Sequence, residues 1–110
     1  MIVGRLDRRV QFRRMALIDD RLQSREVFKD HGTPISAKKT DVSDGERVRA
    51  MQVQATITAR FVVRWSPFTV DLTPKDRLVC EDIEYDITGI KELGDRRSFL
   101  EITAAARADT

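Results

Sequence analysis

Apolar residues in this chain recur at every second position in short bursts, and polar stretches rich in Gly, Pro and Asp separate the bursts. A turn at Gly4-Arg5-Leu6-Asp7-Arg8-Arg9 leads into the first burst, Arg9-Val10-Gln11-Phe12-Arg13-Arg14-Met15. There Val10, Phe12 and Arg14 share one face and Gln11 and Arg13 the other, which is the alternation of a half-buried strand. Ile18 to Ser24 is polar and turn-like, so it predicts a hairpin loop, with a weaker second strand through Glu26-Val27-Phe28-Lys29. His31-Gly32-Thr33-Pro34 breaks regular structure, because proline has no backbone donor, and Ile35 to Thr40 predicts a third strand. Asp41-Val42-Ser43-Asp44-Gly45-Glu46 is the strongest loop signal. From Arg47 to Gln54 two spacings compete. Val48, Met51 and Ala55 fit a helix, while Met51, Val53, Ala55 and Ile57 fit a strand. The reading adopted is a loop or short helix passing into a long strand from Val53 to Trp65.

Within that strand Phe61, Val63 and Trp65 take one face and Arg60, Val62 and Arg64 the other. Pro67 and Pro74 bracket a turn-rich segment. Arg77 to Cys80 and Glu84 to Ile90 predict two strands joined by a tight acidic turn at Glu81 and Asp82. Leu93 to Arg97 is a further turn, Ser98 to Ala104 is the last strand, and the tail 105–110 is expected to fray. Short strands with turns every eight to twelve residues indicate a mainly β fold. The expectation is a small antiparallel barrel or sandwich of about six to seven strands with at most one or two short helices. Its predicted core is Val10, Phe12, Phe61, Val63, Trp65, Leu78, Tyr85, Ile87, Leu100 and Ile102.

At 110 residues the chain is one domain, able to bury a modest core. Charged residues make up 35% and aromatics 6%, which leaves a large polar surface. Twenty basic residues against eighteen acidic give a net charge of only +2, interspersed rather than blocked. A sequence-reading DNA binder of this size carries a larger basic excess, so the balance favours contacts with other proteins. Cys80 is the only cysteine, which rules out an intrachain disulfide or a cysteine zinc site and suggests folding in a reducing cytoplasm. Met1 to Leu6 turns charged at once, so no secretory leader is expected, and no apolar run approaches the roughly 20 residues that span a bilayer.

No residue set announces catalysis, a cofactor or a metal. His31 stands in a turn without the nucleophile and orienting partner that a general base needs. Asp41, Asp44 and Glu46 surround Gly45 but do not follow the ligand spacing of a calcium loop, and as loop charges they are ordinarily solvated. Arg60 and Arg64 lie on the face opposite the aromatics. A single-strand nucleic-acid binder would set both on one exposed face, so intersubunit contacts suit these arginines better. Arg9 and Arg13 are candidates of the same kind, equally compatible with solvated strand edges.

An ordered set of residues resembles the head–tail joining (head completion, or stopper) proteins of long-tailed bacteriophages and prophages. It comprises Gly4-x-Leu6-x-x-Arg9-Val10-x-Phe12, Ala37-Lys38, Gly45-Glu46 and Phe61-x-x-Arg64-Trp65, then Arg77-Leu78, Tyr85-Asp86-Ile87 with Gly89-Ile90, and Leu100-x-Ile102. The set spans nearly the whole chain. Two positions depart from the family pattern. Thr33-Pro34-Ile35 stands where an aromatic is common before the Ala-Lys strand, and Trp65 stands where tyrosine is usual. The resemblance implies a small β-barrel that assembles into a ring at the portal vertex, in the virion, between the DNA-filled head and the tail. Its implied partners are further copies of itself, portal or adaptor and tail proteins, and packaged double-stranded DNA in the lumen, with no membrane contact. It also implies a loop pointing into the channel. The matching segment is 41–52, with Asp41, Asp44, Gly45, Glu46, Arg47 and Arg49 as its candidate residues. A neighbouring role, adaptor or tail completion, is the nearest alternative. A single-stranded nucleic-acid-binding barrel of the oligonucleotide-binding type is the alternative from another class, distinguished by salt-dependent binding of the free chain to single-stranded DNA.

Overall fold

The computed structural model describes residues 5–19, 21–42, 58–94 and 98–107. These form strands β1 (Arg8–Asp19), β2 (Ser24–Asp30), β3 (Ile35–Asp41) and β4 (Thr58–Arg64), a single turn of helix α1 (Pro67–Val70), and then β5 (Arg77–Cys80), β6 (Ile83–Leu93) and β7 (Phe99–Ala106). Every pairing is antiparallel, and the strands form one seven-stranded sheet ordered β2-β1-β3-β4-β7-β6-β5, with β5 pairing back onto β1. The sheet therefore closes on itself through β1-β3-β4-β7-β6-β5. Closure of this kind removes the open edges that a flat sheet would present.

The strands form where period-two alternation meets short turns. Inward positions of the ring are Val10, Phe12, Ala37, Ala59, Phe61, Val63, Leu78, Cys80, Tyr85, Ile87, Leu100, Ile102 and Ala104, all buried. Phe61 meets Tyr85 edge-on at 5.2 Å between ring centroids, a favoured aromatic arrangement. A two-residue turn at Glu81 and Asp82 joins β5 to β6. Both turn residues have positive φ, 54° and 66°, as the primed hairpin turn requires. In β6 the register slips between Ile87 and Gly89, leaving Thr88 as an extra residue whose Oγ1 donates to the Thr103 carbonyl at 3.1 Å.

β1 is longer than the ring needs. Val10 pairs with both Ile35 of β3 and Cys80 of β5, and Arg13 with both Asp30 of β2 and Arg77 of β5. β2 and β3 therefore lie end to end along one edge of β1, interrupted by residues 31–34, while β5 occupies the other edge only from Val10 to Arg13. Beyond Arg13, β1 and β2 continue as a two-stranded hairpin as far as the Asp19–Ser24 pair. Gly32 holds the interruption. Its φ is +74°, and a Cβ there would lie 2.5 Å from a Phe68 ring carbon, so no other residue fits without displacement.

Several sequence expectations change. Trp65, expected in the core, is 39% exposed, because β4 ends at Arg64 and the chain turns into α1 before the alternation reaches Trp65. The hairpin loop expected from Ile18 is shorter, because pairing with Arg25 and Ser24 keeps Ile18 and Asp19 in β1. Ala105 and Ala106, expected to fray, belong to β7, and Arg107 N–H donates to the Glu84 carbonyl at 2.9 Å. The part of the expected long strand before Thr58 lies outside the described residues.

Candidate interaction surface

The hairpin root is clamped on both faces. On one face the Arg77 guanidinium sits 3.7 Å from the centroid of the Phe28 ring, a close cation–π contact, and Arg13 donates from Nη2 to the Phe28 carbonyl at 2.7 Å. Arg13 also pairs with Asp30 at 3.3 Å, and Arg77 with Asp86 at 3.1 Å, a carboxylate that Arg107 also holds at 2.9 Å. On the other face Arg14 grips Asp76 with two parallel bonds, Nε to Oδ1 at 2.9 Å and Nη2 to Oδ2 at 2.8 Å, and reaches Asp71 at 2.8 Å. The Asp76 carboxylate is 3% exposed and accepts a third bond from Thr73 N–H at 2.9 Å. Burial alone would raise its pKa, but the Arg14 fork and the Thr73 donor together hold it below the usual carboxylate range. Arg14 is correspondingly held above the ordinary guanidinium value by hydrogen bonds to Asp76 and Asp71.

Past these clamps the hairpin is exposed. Arg13, Met15, Leu17 and Asp19 share one face with their cross-strand partners Asp30, Phe28, Glu26 and Ser24. Met15 and Leu17 are 43% and 65% exposed, and Asp19 and Glu26 are exposed carboxylates beside them. Leu22, between the two strands, is 95% exposed.

A groove of about 690 Å³ opens beside the interruption in the β2–β3 edge, lined by Leu6, Pro34, Ile35 and Phe68, by Arg9 and Arg64, and by Gly32, Thr33, Ser36, Ser66 and Thr69. Helix α1 supplies its Phe68. Ser66 caps that helix by accepting from Thr69 N–H at 3.1 Å, while Thr69 Oγ1 accepts from Ser66 N–H at 2.8 Å, and Pro67 presets the first helical φ. His31 stacks on Phe68 at 5.0 Å, which places the sequence's lone histidine in packing.

The sequence candidates fall in different places. Arg9 and Arg64 both line the groove, and Arg64 lies 6.0 Å from the Phe99 ring centroid. Arg13 is engaged within the chain, as described above, and Arg60 is partly buried in β4. Asp41 is exposed at the end of β3, 3.8 Å from Lys39 Nζ. Asp44, Gly45, Glu46, Arg47 and Arg49 lie outside the described residues, and Val42 N–H donates to the Thr58 carbonyl at 2.9 Å. Sequence reasoning missed the groove and the Arg14–Asp76 clamp. Arg14 on the core-facing side of β1 was the available signal, since an inward arginine needs a carboxylate. Among the described residues no three of His, Cys, Asp and Glu converge as metal ligands, and no helix is long and apolar enough to cross a membrane. Burial raises the Cys80 thiol pKa, which keeps the thiol protonated at neutral pH.

The family model for phage head completion protein matches residues 1–107. The fold is similar to the solution structure of a Shigella flexneri 2a protein, with a TM-score of 0.74 and 23% identity, covering 100% of both chains. It is also similar to a chain in the virion of a native gene transfer agent particle, with a TM-score of 0.67 and 21% identity, covering 93% of this chain and 94% of that one. No curated protein sequence is a significant match.

Proposed function

The chain belongs to the phage head completion protein family, a structural and virion-associated family rather than an enzymatic one, and from that premise we propose that it assembles as a ring between the portal or adaptor and the tail, closes the DNA channel and offers the tail its docking surface. Membership over residues 1–107 carries the reading. The molecule's construction suits it. A closed sheet with a packed interior gives a rigid unit, and its charged outer surface can meet other proteins on several sides. The proposed channel loop is the segment beginning at Asp41, carrying Asp44, Gly45, Glu46, Arg47 and Arg49. Carboxylates projecting into a pore would repel DNA phosphates and narrow the lumen without gripping the duplex. Of the arginine candidates, Arg9, Arg60 and Arg64 remain proposed for contacts between subunits, whereas Arg13 serves the hairpin root.

The test is electron microscopy of particles assembled with and without the full chain. Rings at the head vertex, and heads that lose DNA and fail to take tails when the chain is omitted, are the expected result. Filled, tailed particles formed without it would overturn the reading. Replacing Asp41, Asp44 and Glu46 by the corresponding amides tests the loop separately, through DNA retention by the assembled particles.

A further inference from the structure

We infer that the β1–β2 hairpin is the arm that joins successive copies, its Met15, Leu17, Asp19 and Glu26 face seating in the groove of the next copy. The inference rests on the ring assembly proposed above and names the contact that would build it.

The hairpin has the properties of such an arm. A two-stranded ribbon is marginally stable in water by itself, yet this one projects past the ring with Met15 and Leu17 turned outwards. Met15 and Leu17 lie on one face of the clamped hairpin, so a partner seated there would bury both. The root clamps, Arg77 on Phe28 and Arg14 on Asp76, fix the direction in which the hairpin points. The arm is thus organised before it meets anything, which lowers the ordering cost of association.

The groove matches it in chemistry. Leu6, Pro34, Ile35 and Phe68 offer apolar surface, and Arg9 and Arg64 are both exposed there. The arm presents the inverse, two apolar side chains flanked by the Asp19 and Glu26 carboxylates. At about 690 Å³ the groove falls in the range of sites that enclose a ligand of several side chains' size. Complementary charge around an apolar centre fixes register and suppresses wrong pairings. Arm and groove are different patches of the surface, so the contact is head-to-tail, the kind that generates a ring when the rotation between copies closes.

The experiment places a benzophenone amino acid at position 17 of the full chain, mixes isotope-labelled with unlabelled copies, and irradiates both the concentrated protein and assembled particles. Mass spectrometry is expected to find cross-links between differently labelled copies, from position 17 to residues 34–36 or 64–68. Asp19→Arg and Arg64→Glu, both at exposed positions, should each lower the cross-link yield about tenfold, and the double variant should restore it. Cross-links to the same copy's own residues 1–4 or 43–57 would overturn the inference, as would cross-links to a different virion protein. If microscopy shows rings but position 17 links elsewhere, the contact fails while the ring stands. If position 17 links to the groove of another copy and no ring is seen, the contact stands and the ring fails. Unchanged yield in both single variants would overturn the charge pairing.

Discussion

The closed ring and the hairpin that leaves it are built from the same alternation of apolar and polar residues, yet they cohere by different means. In the ring, every second side chain points to an interior shared by six strands, so Val10, Phe12, Phe61, Val63, Tyr85 and Ile102 bury completely. A two-stranded ribbon has no interior. Past Arg13 the alternation of β1 delivers Met15 and Leu17 to solvent, and the hairpin is held to the body by arginines instead: Arg77 over Phe28 on one face, Arg14 on Asp76 and Asp71 on the other. An apolar side chain on the inner face of the closed sheet is buried by the strands across from it, whereas Met15 and Leu17, on the same side of β1 as Gln11 and Arg13, stay exposed.

The largest effect that sharpens this contrast compares Phe61→Ala with Leu17→Ser. Phe61 is fully buried against Tyr85, and its truncation should cost about 3–5 kcal/mol in chemical denaturation. Leu17→Ser should change stability by no more than about 0.5 kcal/mol, because the leucine is already exposed. Equal losses would break the comparison.

A smaller effect addresses the clamp. Asp76→Asn weakens charge-assisted bonds to Arg14 and should cost about 2 kcal/mol near neutral pH. The folded-state pKa of Asp76 lies below its unfolded value, so its contribution is present above about pH 4 and is lost as pH falls through the folded value. The gap between wild type and Asp76→Asn should therefore be full near pH 6 and close as the pH falls through the folded-state value. A gap that widened in acid would contradict this assignment. The smallest effect is a gain. Asp82 holds φ at 66° in the β5–β6 turn, and Asp82→Gly should raise stability by about 0.5–1 kcal/mol, read as a higher denaturation midpoint.

Much of this was legible in the chain. Phe61-Val62-Val63 between Arg60 and Arg64 announces a strand and the short run Arg77 to Cys80 before Glu81-Asp82 announces a hairpin, because local alternation and turn chemistry are properties of neighbouring residues. Alternation places Val62 on the outward face with Arg60 and Arg64, yet it is buried, only 8% exposed. Its cross-strand neighbours Lys38 and Glu101 are long enough to shield it, and nothing local to β4 reveals that. Trp65 misled for a related reason, since alternation counts only as far as the strand continues.

The sequence by itself determined roughly where most of the strands lie, the alternation within them and the tight turn at Glu81 and Asp82. All of these follow from interactions within a few residues. Tertiary structure alone decided that β5 returns to β1 and closes the ring, that Arg14 finds Asp76 sixty-two positions away, and that Arg9 and Arg64 flank one groove while the hairpin projects with its apolar face uncovered. Those outcomes depend on strand register and closure, which bring distant residues together through the summed pairing of the whole sheet.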